Sequence, residues 1–369
     1  MQAPDTDRGR RRFLTLAGTT ALAGSAAAGG LAAPALAQDK IRLRMVSAWP
    51  KNAPGVGVNA ERFARRLEAL SDGRIEVRFF AAGELVPPFG VMDAVSQGTA
   101  DLGHGTPYYY AGKVPAAHFF TGVPFGLDAN EFAAWCRFGG GQALWDETMA
   151  PFGIKPFYAG SSGSQALGWF NREIKTLDDL QGLKFRIAGL GGEVMRRLGV
   201  VPVLTPPGEI AAALSSGVVD AVEWIGPWND IAFGLQRYAK YYYMPGVFEP
   251  GPGLEVIVNT KTYEGLPAGL QEAIRTAAEA TANETLADFT YHNIVAYQTV
   301  LSQGVALRTM PQPIVERMAE VSKDVIAEVG NSQPTAKKVY DSYVAFLAQA
   351  KAYSPKGLEG TLAMRALGG

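Results

Sequence analysis

The stretch that decides the fold is "IAAALSSGVVDAVE", Ile210 to Glu223. It reads as a short amphipathic helix, a stop at Gly217, and an apolar strand broken only by Asp220. Glycine past a helix end takes the left-handed conformation without the penalty that a Cβ brings, so it ends the helix and redirects the chain. The strand then delivers a carboxylate, Glu223, and an indole, Trp224. The pair Gly226-Pro227 turns the chain before a second indole at Trp228. The same device occurs once more: "VMDAVSQGTADLGH" (91–104) aligns without a gap at an offset of 119. Ser96 matches Ser215, Gly98 matches Gly217, Asp101 matches Asp220 and His104 matches Glu223. A helix-glycine-strand unit used twice, about one domain apart, implies two similar α/β domains. Ligands of open α/β sheets bind beyond the carboxyl ends of strands. Glu223 and Trp224 are therefore expected where a strand meets a cleft.

Working outward, "IRLRMVSAW" (41–49) and "RIEVRFF" (74–80) alternate as strands do. Between them "VGVNAERFARRLEAL" (56–70) repeats its apolar residues at helical spacing, with Val58, Phe63, Leu67 and Leu70 on one side. This β-α-β unit predicts an α/β fold with a largely parallel sheet. "LEVIVN" (254–259) reads as a buried strand. From Pro267 to Gln303 the only interior helix breaker is Gly269. A helix of roughly 35 residues is about 50 Å long, enough to brace two domains. "VALRTM" (305–310) returns as a strand, and helices are expected at 313–329 and 334–352. The expected division is lobe I at 38–160, lobe II at 161–251, and returning strands, bridging helix and C-terminal helices at 252–369.

The 369 residues are 47% hydrophobic and 19% charged with a formal net charge of -1. That suits a globular chain with a sizeable interior and leaves no broad basic surface for nucleic acid. The single cysteine, Cys136 in "FAAWCRF", excludes an internal disulfide and reads as a buried structural thiol. His104, His118 and His292 are the only histidines, thin material for a His-rich metal site. The first 37 residues read as a leader. Arg10, Arg11 and Arg12 precede Phe13 and Leu14, an Ala/Gly-rich apolar stretch follows, and Ala35-Leu36-Ala37 closes it as a small-x-small cleavage signature. The Arg10-Arg11-x-Phe13-Leu14 pattern is that of a cleaved twin-arginine signal peptide, which implies a periplasmic location.

Motifs for enzyme chemistry are weak. "GSSGS" (160–164) lacks the final glycine of a nucleophile elbow. "GLGG" (189–192) resembles a dinucleotide loop, but its third small position falls on Val194. No H-E-x-x-H, paired C-x-x-C or Walker sequence occurs. "LKFRIAG" (183–189) is more informative: a short strand carries Arg186 close to its end, where a guanidinium can meet a carboxylate with two parallel hydrogen bonds. "GSQALGWFN" (163–171) puts Gln165 at the start of another strand, and "MPGVFEPG" (244–251) puts Glu249 between turns. The runs Tyr108–Tyr110 and Tyr241–Tyr243 are candidate pocket walls.

These residues carry a resemblance. "AWPKNAPGVG", "YYYAGKVPAAHFFTGVPFGL", "GGGQALWDE", "GLKFRIAGLGGEVMRRLG" and "SSGVVDAVEWIGPWND", with the long C-terminal helix, resemble the DctP-type solute-binding proteins of TRAP transporters. The resemblance covers essentially the whole chain after the leader. It is nearest to the branch that binds 2-oxo acids such as pyruvate together with a cation. It implies a two-lobed periplasmic binding protein fold with a long helix bracing both lobes, and no enzymatic activity. It makes Arg186 the clamp on the substrate carboxylate and Gln165 and Glu223 side-chain ligands of the cation. Trp224 would give its backbone carbonyl to the cation and its ring to the pocket wall. Glu249 would take part in the cation and substrate site, and a tyrosine of the 108–110 run, Tyr108 or Tyr109, would reach the ligand. An all-oxygen donor set suits a hard cation, expected to be Na⁺ with Ca²⁺ as the alternative. Such a cation lets an anion bind beside Glu223 without net repulsion. The implied partners are the small carboxylate, the TRAP membrane permease and a second copy of the chain, exchanged through C-terminal helices and sought in residues 334–352. The competing readings are a lactate receptor using calcium, a secreted two-domain enzyme acting on small acids with His104 as its base, and a two-lobed receptor of an ABC system.

Overall fold

The computed structural model describes residues 40–368. The leader, with its twin-arginine pattern, lies outside the described residues. Among the described residues the strands are β1 (Ile41–Ser47), β2 (Ile75–Phe80), β3 (Leu102–Gly105), β4 (Ile154–Ser161), β5 (Gly168–Phe170), β6 (Lys184–Arg186), β7 (Val201–Val203), β8 (Ala221–Val222), β9 (Tyr241–Tyr243), β10 (Gly253–Asn259) and β11 (Ala306–Arg308). They form two sheets. The first is five-stranded in the order β2-β1-β3-β10-β4, and the second six-stranded in the order β11-β9-β5-β8-β6-β7. Each sheet is mixed, which corrects the expectation of a largely parallel one. Strands β1, β2 and β3 run parallel, but β10 returns antiparallel to both β3 and β4. In the second sheet β6 is parallel to β7 and β8, while β5 is antiparallel to β8 and β9. The reason is the returning strand: a chain that leaves one sheet for the other and comes back arrives from the opposite end.

Two clusters form the packed interior, and the larger takes in Trp169, Val222 and Tyr242 of the second sheet. Phe63, Leu67, Met45, Val95, Ile257 and Phe120 belong to the larger as well. Phe170, Phe185, Val194, Met195, Ile314 and Met318 belong to the smaller. The fold is thus the two-lobed α/β arrangement expected, and the helix Ala268–Ser302 joins it. That helix buries Ala277, Ala278, Thr281, Ala282 and Thr285 in sequence. Small residues there let it lie close against β4, where a Cβ on Gly160 would stand 2.7 Å from Thr285. Toward the helix Val56–Leu70 it makes ion pairs, Arg62 to Asp288 at 3.2 Å and to Glu284 at 3.0 Å. Toward the second sheet its His292 ring stacks on Trp228 at 4.2 Å, and Asn293 Oδ1 accepts from the Trp228 amide at 3.0 Å. The helices Gln312–Gly330, Pro334–Tyr353 and Leu358–Ala366 follow, the last beyond those read from the sequence. Among the described residues no helix is long and apolar enough to cross a membrane.

The repeated unit is real, bond for bond. Its helices are Val91–Ser96 and Ile210–Ser215, and its glycines stand at φ +75° (Gly98) and +73° (Gly217). Asp101 donates its amide to the Arg44 carbonyl at 2.9 Å and accepts the Arg44 amide on Oδ2 at 2.8 Å. Asp220 does the same with Lys184, at 2.7 and 2.9 Å. The aspartate closes the first rung between parallel strands, β1 with β3 in one lobe and β6 with β8 in the other. This aims the ends of those strands, and the residues after them, at one place.

Candidate functional site

Residues from the carboxyl ends of β1, β3, β6 and β8 meet there. Arg186 ends β6, Glu223 and Trp224 follow β8, Trp49 follows β1, and Tyr108 and Tyr109 follow β3. Two crossing segments complete the site, one carrying Ser162 and Gln165 after β4 and one carrying Glu249 before β10. Gln165 stands in a loop rather than at a strand start, because β5 begins at Gly168. That loop is nevertheless pinned: the Gln165 amide donates to the Glu249 carbonyl at 3.2 Å and Gly246 donates to the Gln165 carbonyl at 3.0 Å. Trp49, Tyr108, Gln165, Trp224 and Glu249 line one small cavity.

The charged groups of the site are out of water. Arg186 is 0% exposed, Glu223 2% and Glu249 5%. Arg186 Nη1 donates to the Glu223 carbonyl at 2.5 Å and stands 3.4 Å from Glu223 Oε2. Its guanidinium lies 5.2 Å over the Trp224 ring, a geometry in which the ring quadrupole attracts the cation. Burial pushes the Glu223 carboxyl well up, the Glu249 charge adds to the push, and Arg186 opposes it. Burial pushes Glu249 up as well, against the pull of Arg186 and the Tyr108 hydroxyl. The Tyr108 and Tyr109 phenols are also driven up by burial, and both feel the charges of Glu249, Glu223 and Arg186. One guanidinium between two carboxylates leaves the site short of positive charge. Space for Glu249 is made by Gly122, where a Cβ would lie 2.6 Å from Glu249 Cγ.

Several buried polar atoms here have no partner within the protein, which native interiors rarely tolerate. They fall into two chemical sets. Gln165 Oε1, Glu223 Oε1 and Glu249 Oε2 are acceptors; Arg186 Nε, Arg186 Nη2 and Trp224 Nε1 are donors. The acceptor set is all oxygen, which fits a hard cation. The donor set fits an anion with planar oxygens. Among the described residues no group of three or more His, Cys, Asp or Glu side chains forms a metal cluster. A cation here would need the amide oxygen of Gln165 in addition to carboxylates.

Other candidates go elsewhere. Tyr110 turns away and donates its hydroxyl to Glu255 Oε2 at 2.7 Å. Tyr242 and Tyr243 are core residues of β9, donating to Asp230 at 2.9 Å and to the Ile174 carbonyl at 3.2 Å. Cys136 is buried and free. His104 is fully buried, its pKa lowered to about 3 by burial, and its Nδ1 accepts from Trp49 Nε1 at 2.9 Å. Two contributors escaped the sequence reading. Trp49 was visible only as part of "AWPKNAPGVG", although its place after β1 was a signal. Asp230 accepts from Trp169, Tyr242 and the amides of Ile225 and Gly226, and so holds the turn that carries Trp224. Nothing in the spacing announced that four-way role.

A two-lobed α/β protein that buries charged groups between strand ends has the build of a solute receptor. The chain belongs to the DctP family, bacterial extracellular solute-binding protein family 7, whose profile matches residues 45–333. It is 43% identical over 314 residues to the monocarboxylate 2-oxoacid-binding periplasmic protein of Nostoc sp., a match covering 85% of this chain and 86% of that one. It is similar to a TRAP transporter solute-binding protein of Bordetella bronchiseptica, a mixed-occupancy dimer with copurified calcium and picolinate in one active site and the other apo. That likeness has a TM-score of 0.86 at 35% identity and covers 89% of this chain and 98% of the other. A TRAP solute-binding protein of Pseudoalteromonas atlantica with bound sodium and pyruvate gives a TM-score of 0.85 at 35% identity, covering 88% and 99%.

Proposed function

We propose that this protein captures a small monocarboxylate 2-oxo acid such as pyruvate, together with a cation, and hands it to a TRAP membrane permease. The observation that carries the reading is that the unpartnered buried atoms of the site include an oxygen set and an N–H set, with Arg186 and Glu223 in contact. Arg186 would pair the ligand carboxylate, with Tyr108, Tyr109 and the Trp224 ring as walls. Gln165, Glu223 and the Trp224 carbonyl would hold the cation directly, which supplies the positive charge that the site lacks. We take the cation to be Na⁺, with Glu249 in its outer shell beside the Tyr108 hydroxyl. Ca²⁺ becomes the better match if both carboxylates ligate. No bond is made or broken: His104, the one histidine near the cleft, spends its Nδ1 on Trp49. Closure of lobe I (38–160) on lobe II (161–251) removes water and strengthens the charge contacts.

The exported form would lose residues 1–37 by the twin-arginine route and work in the periplasm. A dimer would form through the C-terminal segment, where Tyr353, Leu358, Met364 and Leu367 are exposed. Truncation after Tyr353 should then yield a monomer by light scattering.

The test is calorimetric titration of the metal-stripped protein with pyruvate and with lactate, in Na⁺, in K⁺ and with added Ca²⁺. Pyruvate binding that requires one cation supports the reading and names the ion. Binding indifferent to cation removes the cation site, and preference for lactate removes the 2-oxo assignment.

A further inference from the structure

Trp49 faces the ligand cavity from the first lobe, opposite Trp224 of the second. Their rings stand 6.4 Å apart, and Trp49 also packs on Tyr109 at 5.8 Å. It is anchored through its backbone and its ring nitrogen. Its amide donates to Ser47 Oγ at 3.2 Å, its carbonyl accepts from Ala82 at 2.9 Å, and its Nε1 donates to His104 Nδ1 at 2.9 Å. It is 2% exposed and His104 is 0% exposed. Because Nδ1 accepts, the histidine proton sits on Nε2, and the ring must be neutral to play this part. The repeated unit explains why an acceptor is available at that spot. His104 occupies the position of Glu223, at the strand end that the aspartate rung aims at the cleft. One lobe therefore uses the position to meet the ligand's cation, and the other uses it to fix an indole.

We propose that Trp49 is the specificity-determining wall for the ligand's side chain and that His104 is its positioning residue. The proposal rests on the 2-oxo acid reading above. A rigid indole held at both ends limits the alkyl group beyond the keto carbon, whereas Trp224, whose Nε1 has no protein partner, is left to respond to the ligand. A methylene more or less in a rigid apolar pocket is worth about 10-fold to 200-fold in discrimination.

The experiment compares dissociation constants for pyruvate and 2-oxopentanoate, in saturating cation, for the wild type and for Trp49→Leu, His104→Leu and His104→Gln. In Trp49→Leu the ratio should shift toward the longer acid by about tenfold or more. His104→Leu should shift it the same way by about threefold, since an unanchored indole still fills part of the space. His104→Gln keeps a neutral acceptor for Trp49 Nε1 and should restore the wild-type ratio, which a merely structural histidine would not require. Trp49→Phe gives a milder variant should Trp49→Leu fail to fold, with the same direction expected. Unchanged ratios in variants that still bind pyruvate with cation would overturn the proposal and leave the 2-oxo acid reading standing. Wild-type protein that binds neither acid would overturn both.

Discussion

The end of β3 and the end of β8 are built by the same unit, yet one carries a neutral histidine and the other a carboxylate. Around both, the backbone hydrogen bonds match: helix, left-handed glycine, aspartate rung, short strand. What differs is what each side chain does with its buried position. His104 is neutral, accepts from Trp49 on Nδ1 and leaves only its Nε2 without a partner, a smaller cost than a buried carboxylate brings. Glu223 touches Arg186 with one oxygen and leaves the other unpartnered, a cost the fold bears at this position. A shared framework with one expensive position is the signature of function placed on a scaffold.

The strongest way to break this comparison is at Arg186. Removing one partner of a buried ion pair costs about 3–5 kcal/mol. Arg186→Met should therefore lower the melting temperature and abolish measurable pyruvate binding, a loss of more than about 100-fold. Retained affinity, read by calorimetry, would detach Arg186 from the ligand. The next variants sharpen the shared half. Asp101→Ala and Asp220→Ala remove the same rung in each lobe and should each cost about 0.5–1.5 kcal/mol in urea unfolding, since each loses a hydrogen bond within reach of water. Unequal losses of more than about twofold would mean that the two units are alike in shape only.

A smaller effect tests burial of a carboxylate without function. Glu255 on β10 is 2% exposed, with the Tyr110 hydroxyl on its Oε2, and burial lifts its pKa to about 8. The unfolded chain titrates it near about 4.3. Between those values the folded state holds the proton and the unfolded state has lost it. The group's stabilisation is therefore complete at low pH and is lost as pH rises toward 8. Glu255→Gln has no such loss, so its stability relative to wild type should climb from about pH 5 to 8, by at most about 1.4 kcal/mol per pH unit. A difference that stays flat would place Glu255 in a wetter setting.

The sequence disclosed most of this frame because its decisive signals are local. Gly98, Gly217, Asp101 and Asp220 act within a few residues of themselves, so their spacing survives reading without coordinates. The helix 268–302 was visible for the same reason, as an unbroken run of helix formers. Sheet polarity was not. Whether β10 enters parallel or antiparallel is set by where the chain comes back from, and no local pattern in "LEVIVN" records it. At the site, Arg186, Glu223 and Trp224 stood out as charge or indole at the end of apolar strands. Gln165 and Glu249 were misplaced or merely bracketed, because both sit in crossing loops fixed by each other's backbone. Trp49 and Asp230 act through partners distant in sequence, His104 and Trp169, and only the fold brings those together.

The central claim is that Glu223 is kept buried to hold a cation that the ligand needs. The most direct measurement is the dependence of pyruvate affinity on cation concentration in wild type and in Glu223→Gln. If one ion binds with one ligand, affinity in the wild type rises in proportion to cation below saturation, and the ion's affinity rises equally with pyruvate. In Glu223→Gln that dependence should largely vanish and affinity should fall, and the melting temperature should drop as well because Arg186 loses its buried charge partner. A variant that keeps the full cation dependence would contradict the account.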